Sequence, residues 1–333
     1  MFILQNYLLA VIFCVITMLC WGSWANTQKL AGREWRFELF YWDYVIGVVL
    51  LSVIFAFTLG SIGTAGRNFI QDVGQADFSN LLSAMIGGVI FNAANILLVA
   101  AIAIAGMSVA FPVGIGLALV LGVIVNYIAT PLGNPTILFF GVALVAAAII
   151  IDALAYKRIP SKIQGITTKG LVLSILAGIL MGFFYRFVAK SMSTDFINLE
   201  PGKLSPYTAV VFFSIGLLIS NFFFNTLIMK KPFVGKPVPI SAYFKGGLSI
   251  HFIGILGGII WCIGMSFSII ASGQAGFAIS YGLGQGATMV AALWGVFIWK
   301  EFKEAAPGTN KLLAFMFIFF IVGLGLIITA RVA

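Results

Sequence analysis

Ten apolar runs, each closed by a short cluster of charged or turn-forming residues, decide what this chain can fold into. They cover residues 6–28, 41–60, 81–104, 107–128, 135–155, 168–189, 206–229, 246–271, 274–299 and 310–330. A helix that crosses the hydrocarbon core of a bilayer needs about 20 mostly apolar residues, and these runs have that length. In lipid the backbone must satisfy its own hydrogen bonds, so runs of this kind become helices. Of the 333 residues, 61% are hydrophobic and 9% charged, against about 45–50% and about 25% in an ordinary soluble domain. The sequence therefore predicts an all-α membrane protein with ten transmembrane helices.

Spacing within the chain points to a duplication. Two connections are almost absent, at Ala105-Gly106 and Ser272-Gly273, so the third and fourth runs, and the eighth and ninth, form tight antiparallel hairpins. Moving residues 87–116 forward by 170 brings Gly87, Gly88, Gly106, Gly114 and Gly116 onto Gly257, Gly258, Gly276, Gly284 and Gly286 without a gap. Phe91 then meets Trp261, and Phe111 meets Tyr281; nearer the start, Gly22 matches Gly182 at a shift of 160. Five helices per copy is an odd number, so the second copy enters from the opposite face. That predicts two inverted five-helix repeats about an axis in the membrane plane. The expected layout is a single membrane domain, with repeats over 1–155 and 169–333 joined by a short cytoplasmic linker, 156–168.

The formal net charge of +9 sits in the short loops, which suits anionic lipid headgroups rather than nucleic acid. Lys29, Arg33, Arg36, Lys157, Arg158, Lys162, Lys169, Lys230, Lys231, Lys236, Lys245, Lys300, Lys303 and Lys311 fall on one face. Arg67, Arg186, Lys190, Lys203 and Arg331 fall on the other. The positive-inside rule puts the larger set in the cytoplasm and both termini outside, in an inner (plasma) membrane. With no basic residue before Lys29, the first run reads as an uncleaved anchor rather than a signal peptide.

Chemistry-bearing residues are few, which excludes most enzyme classes. Cys14, Cys20 and Cys262 lie inside apolar runs without a CxxC partner, so neither a zinc site nor a disulfide framework is expected. One histidine, His251, and ten scattered carboxylates do not assemble an acid–base or metal cluster, so no catalytic residue and no cofactor is assigned. Polar groups inside the runs need an account of their own. Trp21 and Trp24, three apart in the first run, share a face with Gln28, and Asn26 lies beside them. Indole rings there stack on a planar solute while the amide bonds its edge, or they form an interfacial belt with Lys29 snorkelling. Asn92 and Asn95 share a face of the third helix beside Phe91, with Trp261 as the repeat-related aromatic wall; two amides suit a neutral hydrogen-bonding solute and equally suit helix–helix bonding. Arg186 occupies the repeat position of Asn26 and either orients a solute carbonyl or snorkels outward. Tyr281, Gln285 and Thr288 form one stripe of the ninth helix with Gly282, and their repeat counterparts in the fourth helix surround Pro112; glycine and proline there allow local unwinding, which commonly marks transporter sites, or equally close helix packing. For proton coupling, Asp43 is the first choice and Asp152 the second, with Asp152 also able to bond Tyr156 or the Lys157-Arg158 pair; His251 reads as a structural hydrogen-bonding residue.

Three stretches then resemble one family: WDYVIGVVLLSVIFAFTLGSIG (42–63), GGVIFNAANILLVAAIAIAGMSVA (87–110) and VLGVIVNYI (120–128). ILFFGVALVAAAI (137–149), RFVAKS (186–191) and QAGFAISYGLGQGATMVAALWGVFIWKEF (274–302) extend the likeness over almost the whole chain. They resemble the ureide permeases of the drug/metabolite transporter superfamily, beside the bacterial glucose/ribose and rhamnose uptake proteins. The resemblance implies ten helices and uptake of small oxo-substituted nitrogen heterocycles, together with protons. One departure stands out. Plant members carry a long central loop with a nucleotide-like Gly-Lys motif, whereas YKRIPSKIQGITT (156–168) is short and lacks GxxxxGK[ST], so no nucleotide partner is expected. The expected function is a secondary transporter importing a small uncharged polar solute (a ureide, nucleobase or nucleoside) by alternating access, as a monomer or homodimer. A sugar uptake carrier and a drug or metabolite exporter are the alternatives.

Overall fold

The computed structural model describes residues 1–32, 35–160 and 168–333. Among the described residues, ten helices are long and apolar enough to cross a membrane. We number them α1 (Tyr7–Leu30), α2 (Phe37–Phe57), α3 (Phe78–Ala105), α4 (Pro112–Ala129), α5 (Pro135–Tyr156), α6 (Thr168–Ser191), α7 (Pro206–Lys230), α8 (Leu248–Ala275), α9 (Phe277–Ile298) and α10 (Thr309–Thr329). Most of the linker expected over 156–168 lies outside the described residues, as do Arg33 and Lys162.

Local sequence sets the helix starts. Asn6 accepts a bond from the Leu9 amide at 2.9 Å and opens α1. Asn134 and Ser205 cap α5 and α7, each followed by proline at the first helical position, where the missing N–H costs nothing. Gly106 and Gly276 adopt φ of 78° and 83°, which a side chain resists, and turn α3 into α4 and α8 into α9. The second hairpin thus turns at Gly276 rather than at the expected Ser272-Gly273, because α8 stays helical to Ala275. α3 and α8 each have 28 residues.

The local unwinding expected around Pro112 and among the ninth-helix glycines is present. The backbone between Phe111 and Ile115 winds as a π-helix around Pro112. In α9 the helix stops at Gly284 and resumes at Ala287. Gln285 therefore sits in the break, between Tyr281 and Thr288 of the expected stripe.

The described residues divide into two compact units that interleave along the sequence. The first unit comprises Met1–Asn92 and Phe184–Gln274. In it α2 and α7 run antiparallel: Asn225 Nδ2 donates to the Glu38 carbonyl at 2.9 Å, and further along Ser52 and Ser214 share a hydroxyl bond at 2.7 Å. α8 crosses α2 where Gly258 faces the Tyr44 carbonyl and Gly47 faces that of Ile255. α3 crosses α7 in the same way, Gly88 facing the Phe213 carbonyl and Gly216 that of Met85. Small residues at such crossings let backbones approach closely, which drives helix association in lipid. The connections before α3 and α7 are bound together by Asp72. This fully buried carboxylate takes Arg67 Nε at 2.9 Å and the Ser205 amide at 2.7 Å.

The second unit comprises Ala93–Phe183 and Ala275–Ala333. α5 and α10 pack antiparallel through Gly141 and Gly323, each lying against the other's carbonyl oxygen. The Asn134 amide donates to the Ala330 carbonyl at 2.7 Å at one end, and the Tyr156 hydroxyl to Glu301 at 2.8 Å at the other. α4 meets α9 where the ring of Tyr281 fills the space left by Gly122.

Candidate functional site

In the first unit an aromatic cluster gathers around Trp261. The three-residue spacing of Trp21 and Trp24 turns both indoles of α1 inward. Trp21 stacks on Trp261 with centroids 6.0 Å apart and planes 14° from parallel, and its N–H donates to the Trp261 carbonyl at 3.2 Å. Trp24 lies 4.9 Å from Tyr44, and Tyr44 lies 6.2 Å from Trp261. Phe213 of α7 stacks on Trp261 at 5.8 Å. Phe91 packs directly on Trp261 at 4.4 Å, so the two rings form one wall rather than the two opposed walls the repeat register suggested.

Several polar groups in this unit are buried with nothing to bond. The Tyr44 hydroxyl is one, and the side-chain carbonyl of Asn92 is another. Asn92 donates its amide to Ser220 Oγ at 2.8 Å, so it is both interhelical glue and a free acceptor. Asn221 of α7 is fully buried, and neither its amide nor its carbonyl has a partner. It shares a face with Ser214 and Asn225, seven residues before and four after, and both bond α2. An unmet buried amide costs about 1–3 kcal/mol, which a bound solute or water would recover. Arg186 of α6 is half-buried, and among the described residues its guanidinium meets neither a carboxylate nor a carbonyl within bonding distance. It lies two residues beyond Phe184, which touches Phe91 edge-on at 5.2 Å.

The remaining expected residues occupy other settings. Asn26 is half-buried and donates to the Ser23 carbonyl at 3.0 Å. Asn95, Tyr281 and Gln285 belong to the second unit and are buried there. Tyr281 donates to the carbonyls of Met181 and Ala118 at 3.1 and 3.2 Å, which ties α9 to α6 and α4. Asp152 is buried in the same unit with Oδ1 unpaired. Its expected partner, Tyr156, bonds Glu301 instead.

Asp43, only 1% exposed, is the anchor of a second cluster in the first unit. It accepts the Tyr243 hydroxyl at 2.5 Å, and His251 Nδ1 lies 2.9 and 3.0 Å from its two oxygens. Tyr243 belongs to a short 3₁₀ helix, Ile240–Lys245, between α7 and α8. Burial, followed by the bond to Asp43, pushes its hydroxyl well above the usual phenol range, so it stays a donor. Trp35 closes this cluster, edge-on to His251 at 5.2 Å. The hydrogen bond expected of His251 exists, and its partner is the first-choice proton carrier.

Sequence reasoning missed Tyr44, Phe213, Asn221 and Tyr243. Asn221 carried the same signal as Asn92, a carboxamide within an apolar run, and Tyr44 stood next to Asp43 in the WDY stretch. Tyr243 carried no signal, since a loop tyrosine is ordinary until the fold folds it back onto α2.

The family model described as ureide permease matches residues 40–159 and 155–330. Ureide permease 1 of Arabidopsis thaliana is 22% identical over 377 residues, covering 96% of this chain and 96% of its own length. Ureide permease 2 of the same plant is 23% identical, covering 94% of each. Transmembrane protein 144 homolog B of Dictyostelium discoideum is 24% identical over 53% of this chain and 43% of its own. A solved crystal structure, 14% identical, superposes over 95% of both chains with a TM-score of 0.59, a likeness of fold.

Proposed function

This chain belongs to the ureide permease family, a family of multi-pass membrane transporters rather than enzymes, and from that premise we propose that it imports a small uncharged oxo nitrogen heterocycle. The class covers ureides, nucleobases and nucleosides, and the relatives named ureide permease support its first member. The observation that carries the reading is the coexistence, in one compact unit, of an aromatic cluster with unpaired buried donors and acceptors. Trp21, Trp24 and Trp261 offer ring faces. The carbonyl of Asn92, the amide of Asn221 and the Tyr44 hydroxyl offer hydrogen bonds to a solute edge, and Arg186 offers a cation to its carbonyls. A carboxamide presents donor and acceptor side by side, which matches the N–H and C=O that adjoin in a cyclic ureide or uracil ring.

Alternating access fits the packing. Repeat-related helices α2 and α7, and α5 and α10, lie antiparallel, and the Gly141–Gly323 contact is reciprocal, as a local twofold requires. The coupling ion in this reading is the proton, carried by Asp43, with Asp152 as the second carboxylate. The chain lies in the plasma (inner) membrane with both termini outside, following its Lys and Arg distribution.

Uptake into proteoliposomes of radiolabelled allantoin, uracil, nucleosides and hexoses, with and without an inward proton gradient, tests the reading. Accumulation of allantoin or uracil above the gradient-free level is expected. Failure of every heterocycle to accumulate or compete overturns the substrate class, and accumulation of hexose alone replaces it with sugar uptake.

A further inference from the structure

The 231–247 connection does not hang free; it is tied back onto the helices that flank it. The Val238 amide bonds the Met229 carbonyl at 2.9 Å, Arg36 bonds the Lys236 carbonyl, and Tyr243 reaches Asp43. Among the described residues, the Tyr243 bond alone joins this connection to a buried titratable group. His251, the sole histidine of the chain, stands between that group and water: its side chain is 19% exposed and that of Asp43 is 1% exposed. Its Nδ1 points at Asp43. Its Nε2 points at Gly246, where a Cβ would come within 2.5 Å of the Trp35 ring and 2.7 Å of Nε2. Gly246 has φ of −64°, which any residue can adopt, so backbone strain does not account for a glycine there, whereas room beside the Trp35 ring and Nε2 does.

We propose that His251 is the port through which a proton reaches Asp43, and that Tyr243 makes the Ile240–Lys245 helix a strap that this proton loosens. The proposal rests on the coupling role given above to Asp43. A proton taken at Nε2 gives an imidazolium; its Nδ1–H bond then breaks, an O–H bond forms on Asp43, and His251 is left neutral with its proton on Nε2. Asp43 now donates to Nδ1 instead of accepting from it. Its other oxygen becomes a neutral carbonyl, and the Tyr243 bond loses the charge assistance that makes a bond to a carboxylate roughly twice as strong. The groups around the dyad are accounted for. Tyr243 faces Asp43 from the strap, and His251 and the bare Gly254 face it from α8. On its own helix Glu38 is held by Arg36. Lys245, at the end of the strap, is exposed.

Hydrogen exchange of the Val238, Ala242 and Gly246 amides, in the full chain in nanodiscs and corrected for intrinsic rates, tests this without any substrate. Exchange is expected to quicken about tenfold as pH falls from about 8 to about 5. Tyr243→Phe, outside the spanning helices, should show the fast rate at every pH, and Asp43→Asn should do the same. Gly246→Ala, which wedges a methyl group between the Trp35 ring and Nε2, should keep strap exchange slow at low pH. Exchange in the native chain that ignores pH, or a Tyr243→Phe strap as protected as the native one, overturns the proposal and leaves the uptake reading standing. Loss of heterocycle uptake with the exchange response intact does the reverse.

Discussion

Arg186 shows at the residue scale how function separates from stability. A half-buried guanidinium that bonds nothing among the described residues contributes little to the fold, so removing it orphans no described group. Arg186→Gln should therefore unfold at the native temperature while the KM for solute rises about tenfold or more, since a hydrogen bond from a charged group is worth about 1.5–3 kcal/mol. Thermal unfolding and uptake kinetics on the same preparation check both halves. An unchanged KM would return Arg186 to a snorkelling role. Sequence spacing was enough to single out Arg186, Trp21, Trp24 and Asn92, because charge, indole and amide in lipid each demand an explanation. It could not tell that Asn92 spends its donor on Ser220 and leaves its carbonyl free. Residues 128 apart meet only through the packing of α3 on α7.

Glycine crossings govern the element scale. Gly258 and Gly88, 170 residues apart, each lie against a backbone carbonyl of the crossing helix, Tyr44 in one case and Phe213 in the other. A methyl group at either site has no room, and overpacking of this kind costs about 1–3 kcal/mol. Gly258→Ala and Gly88→Ala should lower the unfolding temperature by similar amounts. Gly325→Ala, where nothing lies within 4 Å of the added carbon, should raise stability by about 0.5–1 kcal/mol, because glycine weakens a helix interior. Equal effects at all three positions would contradict close backbone approach as the reason for the first two. The glycine register was legible from sequence. Pro112 and the ninth-helix glycines marked where winding could change, but the form it takes, a π-turn at Phe111–Ile115 and a break at Gln285–Gly286, was not legible, since hydropathy sees a continuous apolar run in both places.

At the scale of the whole molecule, duplication and charge make one prediction together. Single cysteines placed near residue 3 and near residue 331, in a chain whose native cysteines are replaced, should react with a membrane-impermeant maleimide from outside intact cells. A cysteine near residue 236 should be protected. Labelling of the termini only after permeabilisation would reverse the orientation. Apolar run length by itself determined that this chain is a ten-helix membrane protein, because a bilayer allows few alternatives to a helix about 20 residues long. Ordered motifs along those helices carried its family. Only the tertiary structure decided that each compact unit draws on both halves of the chain, that Trp261 is the hub of an aromatic cluster, and that a loop tyrosine and the sole histidine converge on Asp43. Those outcomes depend on which helix faces touch, and helices equally apolar all round carry no mark of that until they pack.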